Sequence, residues 1–146
     1  MPLRLSAPVI QEFILEKTDL KFPPEGGATK VSIKQATQID NEARSLLLSK
    51  NERFFDDNPG EFKVRSNWSM EELKRLEVRC TLCSCNIEDK DGKPLFRFAD
   101  SNGVPGLSMG VGEFERAWGT LPSFVANEIY ECVLRVNFDW ATPLMG

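Results

Sequence analysis

The chain has 146 residues, enough for one domain with one core, and its 41% apolar and 27% charged residues describe a folded, water-facing protein. No run of roughly 18 to 20 apolar residues is present to span a bilayer, and a net charge of -4 without a long basic run argues against nucleic acid as a partner. Histidine is absent altogether, which excludes Ser-His-Asp and Cys-His catalysis, a histidine base and a mixed Cys/His zinc site.

The opening segment MPLRLSAPVIQEF is broken by prolines and polar residues before an apolar leader can develop, so a cytoplasmic location is expected. VIQEFILE (9–16) and TKVSIK (29–34) read as two strands of a hairpin, joined through the proline- and glycine-rich FPPEGGA. A helix then starts at Thr37. Asp40 stands three residues on, an approximate capping box, and Ile39, Ala43, Leu46 and Leu47 fall on one face. DDNPGE (56–61) reads as a turn and EFKVRSNW as a third strand.

SMEELKRLEVRCTLCSCNI (69–87) opens on an S-x-x-E box, and Leu73, Leu76, Cys80, Cys83 and Ile87 step by helical spacing, which predicts one long helix. The dipeptide Asp91-Gly92 marks a turn, PLFRF a short strand, and residues 102–112 a glycine-rich loop leading to a helix in EFERAW. That loop matches neither nucleotide-binding glycine pattern and reads as surface. After Pro122, residues Val125, Ile129, Cys132, Val133 and Val136 form the stripe of a final amphipathic helix ending near Asn137.

The cysteines invite a metal-site reading, since Cys80, Cys83, Cys85 and Cys132 number the four ligands of a structural zinc. The paired spacing of zinc ribbons is missing, however, and three of the four thiols lie on helical stripes, as small buried hydrophobes do. Core thiols are therefore expected, with Cys85 off the stripe and exposed. No cofactor or metal is expected. The paired carboxylates Glu71/Glu72 and Glu113/Glu115 sit at helix starts, where the macrodipole accounts for them, so no enzymatic role is read.

These elements give an α+β expectation: a single domain over residues 1–146, with an N-terminal β-hairpin or small antiparallel sheet packed on three to four helices. Residues 1–36 are expected to be mainly β, 37–137 mainly helical with a short strand near 61–66, and 138–146 a flexible tail.

Three stretches, TKVSIKQATQIDNEARS (29–45), MEELKRLEVRCTLCSCNIEDKDGKPLFRF (70–98) and FERAWGTLPSFVANEIYECVLRVNFDW (114–140), resemble the tail assembly chaperones of bacteriophages with long, non-contractile tails. The resemblance covers about half the chain. It implies a non-enzymatic protein of the host cytoplasm that binds the largely helical tape measure protein and helps tail tube protein polymerise around it. It also implies that the chain is the short form of a pair whose longer member arises by ribosomal frameshift; association with copies of itself stays open. Neither nucleic acid nor membrane is an expected partner. The partner-binding face is expected on the last helix and its aromatic tail, at Val125, Ile129, Val133, Val136, Phe138 and Trp140. Two alternatives stay open: a permanent minor component of a phage tail or neck, and a small zinc-binding protein using the cysteines.

Overall fold

In a computed structural model, residues 9–55, 62–66 and 68–141 are described, with 51–55 and 62–66 as backbone. The first sheet starts as expected. Strand β1 (Ile10–Ile14) pairs antiparallel with β2 (Lys30–Lys34), placing Phe13 opposite Val31. A short helix α1 (Glu16–Lys21) takes Glu16, the last residue of the expected first strand, and the residues leading up to FPPEGGA. Alternation directs Phe13, Leu15, Val31 and Ile33 into the core, and the last three are fully buried.

Helix α2 (Gln38–Leu48) begins with the predicted box in full: Thr37 Oγ1 accepts from the Asp40 N–H at 3.3 Å, and Asp40 Oδ2 accepts from the Thr37 N–H at 2.9 Å. Its core face differs from the expected one. Arg44 and Leu47 point inward, whereas Ile39 and Leu46 are 76% and 69% exposed. The hairpin β3 (Asn51–Phe55) and β4 (Phe62–Ser66) follows; β4 matches the expected third strand, while the turn read at 56–61 lies outside the described residues.

The predicted long helix is shorter than its stripe. Ser69 Oγ caps α3 (Met70–Thr81) by accepting from the Glu72 N–H at 3.2 Å, but the helix ends at Thr81 and the chain passes directly into strand β5 (Leu82–Cys85). TLCSC is rich in residues with only middling helix propensity, so a strand that completes the sheet beside β2 prevails over the helical spacing. The resulting order is β1-β2-β5, with a register shift between Ser32 and Ile33. Cys83 and Ile87 are therefore not helical. Leu82 and Cys83 are buried, and Cys85 is half-buried against the core where it was expected to be exposed.

The turn at Asp91-Gly92 forms, with Asp89 Oδ1 accepting from the N–H groups of Asp91 and Lys93 and Gly92 at a φ of +79°. The expected strand in PLFRF is displaced. Phe96 goes into the core, and the strand begins at its last residue as β6 (Phe98–Ser101), paired with β7 (Val104–Leu107). Asn102 and Gly103, at φ of +53° and +81°, make the two-residue turn, so much of the supposed glycine loop is a hairpin.

Helices α4 (Val111–Gly119) and α5 (Ser123–Val136) close the core, with Pro122 at the cap position of α5. Val125, Ile129 and Val133 of α5 meet Phe13, Leu15, Val31, Ile33, Val78 and Leu82 in one cluster. Each such aliphatic side chain contributes about 1.5–3 kcal/mol by leaving water. Phe114 links Phe96 and Trp118, at ring-centre distances of 5.7 and 6.0 Å. The α+β class is thus the observed one, a small antiparallel sheet against helices, and residues 37–137 carry β3, β5, β6 and β7 besides the strand expected there.

Candidate functional site

The residues predicted to bind a partner separate into two groups. Val125, Ile129 and Val133 form the inner face of α5, and Trp140 is 2% exposed, so these four build the core and not an open surface. Val136 is half-buried against the same cluster. Phe138 alone stands well out, 75% exposed. The segment read as a flexible tail begins instead with a 3-10 turn, Phe138–Trp140, while 142–146 lie outside the described residues.

What holds that turn is a buried polar cluster, one whose members are polar residues on four separate elements. Arg44 of α2 donates from Nε to Glu77 Oε2 of α3 at 2.9 Å, and from a terminal nitrogen to the Trp140 carbonyl at 3.0 Å. Tyr130 of α5 donates its hydroxyl to Glu77 Oε1 at 2.6 Å. The Trp140 indole N–H reaches Asn41 Oδ1 at 2.8 Å, and the Arg44 guanidinium lies 5.5 Å from the Trp140 ring centre. Glu77 has no exposed surface. Burial raises its carboxyl above the usual range, outweighing the opposing pull of the Tyr130 and Arg44 bonds; burial first, then the neighbouring Glu77, raises the Tyr130 hydroxyl as well. Both carboxylate oxygens have partners inside the protein. The cluster therefore braces three helices and the last turn.

Two further side chains tie α1 and the end of β2 to α5 and its C-cap. Asn137 accepts at Oδ1 from the Ala36 N–H at 2.7 Å and donates to the Lys34 carbonyl at 3.2 Å. Glu128 accepts from the N–H groups of Lys17 and Thr18 at 3.0 and 2.7 Å, completing the first turn of α1.

Cys83 and Cys132 are buried, Cys80 and Cys85 half-buried, and all four are free thiols. Burial pushes Cys80, Cys85 and Cys132 up to about 11, assisted by Asp40 at the first and Glu128 at the last. They are protonated at neutral pH, the form least suited to nucleophilic attack or metal binding. Among the described residues, no three Cys, Asp or Glu side chains stand where they could hold a metal ion together. No helix among them is long and apolar enough to cross a membrane.

The surface feature that sequence spacing misplaced is on α2. Ile39 and Leu46 lie two turns apart on its outer side with half-buried Ala43 between them, an apolar stripe facing solvent. The periodicity was visible; its direction was not, because it depends on Arg44 turning inward to Glu77. The class thus defined is a small α+β domain with a braced core and an open helix face. Comparison of the chain with models of known protein families, with curated proteins and with solved structures finds no match to any of them.

Proposed function

We propose that this chain is a non-enzymatic assembly chaperone of long, non-contractile phage tails, working in the host cytoplasm on the helical tape measure protein. Tail tube protein and a frameshifted longer form of the same chain are its further partners in this reading. The resemblance of the three sequence stretches supports it, and the observation that carries it is the apolar outer flank of α2. Ile39 and Leu46 offer an amphipathic helix a face at the spacing its own apolar residues follow. Phe138 adds a second exposed anchor, whereas Val125, Ile129, Val133 and Trp140 serve by keeping the domain folded. Such a protein requires an apolar face and no reactive group.

Co-expression with the tape measure protein of the same phage tests the proposal. The double substitution Ile39→Asp/Leu46→Asp should leave the thermal transition close to that of the parent and abolish co-purification of the tape measure protein. Undiminished co-purification overturns the assignment of this face. A permanent tail or neck component is the competing reading, and mass spectrometry of purified virions separates the two, because a chaperone should be missing from them.

A further inference from the structure

A second surface lies on the opposite kind of element. Strand β1 is at the edge of the β1-β2-β5 sheet, and among the described residues no strand pairs with its outer side. The register fixes which backbone groups face that side. Leu15 donates its N–H to the Thr29 carbonyl and Gln35 donates to the Val9 carbonyl, both at 2.8 Å, so the odd-numbered residues of β1 are those bonded to β2. In an antiparallel ladder the alternate residues then point their N–H and C=O groups the other way. These are Ile10, Glu12 and Ile14.

Their side chains share one face, opposite to that of buried Phe13. Ile10 and Ile14 are 41% and 50% exposed, and the Glu12 side chain is 61% exposed with Lys30 Nζ standing off at 4.0 Å. Alongside this edge runs a cleft of about 400 Å³ between Glu12, Phe13 and Ile14 on one side and Glu128, Glu131, Cys132 and Arg135 of α5 on the other. The edge thus combines main-chain groups that no described strand pairs, an aliphatic-acidic-aliphatic row and room beside it.

We propose that the β1 edge takes up an extended segment of a partner protein as an additional antiparallel strand, one whose side chains run aliphatic, basic, aliphatic on the face shared with Ile10, Glu12 and Ile14. Main-chain bonds to those three residues supply attachment, and the basic side chain opposite Glu12 sets register and selectivity. A second copy of β1 suits the edge poorly. A twofold centred on Glu12 sets the two Ile pairs together but opposes carboxylate to carboxylate, which is destabilising.

The test titrates the full chain with a short fluorescent peptide that alternates threonine with valine, lysine and valine, beside a version with glutamate for lysine and one N-methylated on the amides that would face β1. The lysine peptide should bind roughly fivefold more tightly than the glutamate peptide. Glu12→Lys should reverse that preference, and N-methylation should abolish binding. In the unaltered protein, hydrogen exchange at the Ile10, Glu12 and Ile14 amides should slow when the lysine peptide is added, a readout that needs no variant. Absence of binding, equal affinity for the two peptides, or binding that survives N-methylation overturns the proposal. So does protection of the same three amides by self-association without peptide, which would make the occupant a second copy.

Discussion

Arg44 and Glu77, on different helices and both nearly sealed from water, meet at 2.9 Å through Nε and Oε2. A buried pair of this kind gains from its geometry what it loses in hydration, so its value is clearest when one partner is removed. Arg44→Met, which strands the Glu77 carboxylate, should lower unfolding free energy by about 3–5 kcal/mol in urea titration. The double variant Arg44→Met/Glu77→Leu should lie closer to the parent than that single variant. A double variant less stable than Arg44→Met would show that the pair is not the source of the loss.

Phe138 and Trp140 are two residues apart and opposite in exposure, so they should respond differently to the same change. Trp140→Ala removes a buried indole with its bond to Asn41, and should cost about 3–5 kcal/mol. Phe138→Ala should stay within about 0.5 kcal/mol of the parent in thermal unfolding. Any loss of partner binding in Phe138→Ala would then reflect the surface, whereas the same loss in Trp140→Ala would reflect the fold.

The thiols make stability depend on alkaline pH. An unfolded chain releases their protons near 9.0, whereas Cys80, Cys85 and Cys132 hold theirs to about 11 when folded. A raised acid favours the folded state while both states are protonated, so this contribution is complete below pH 9 and is lost as pH rises toward 11. Urea midpoints measured under reducing conditions should fall across that window, and Cys132→Ala should flatten the fall. Native protein at pH 8 should also react far more slowly with a thiol-specific disulfide reagent than protein in denaturant.

Local signals were the ones that read correctly from sequence. The Thr37 and Ser69 caps and the stripe of α5 depend on neighbours within a few residues, and the β1-β2 pair, though it joins Ile14 to Lys30 across α1, on alternation local to each strand; all form where expected. Asn102-Gly103 was equally local, since positive φ at both positions suits a tight hairpin, but the surrounding glycines gave the stretch the look of a loop. Other differences were not local at all. LCSC (82–85) becomes a strand because β2 lies beside it, Arg44 turns inward because Glu77 waits on another helix, and Trp140 is buried because Asn41 and Arg44 receive it. The candidate docking faces follow from the same choices. Ile39 and Leu46 are outside because Arg44 is inside, and β1 is an edge strand among the described residues because β5 joined the other side of β2.

Asn137 bonds to Ala36 and Lys34, 101 and 103 positions earlier in the chain. The first sheet also lacks its third strand until Cys85 has been made, and lacks the cover of α5 until Val136 has. A chain leaving the ribosome must therefore carry Val31 and Ile33 uncovered through most of its own synthesis. Contacts this distant slow folding and lengthen the exposure of apolar strands. The domain can complete its fold only once nearly its whole length has cleared the exit tunnel, so truncations within α5 should accumulate as unfolded or aggregated chain and not as a smaller, stable domain.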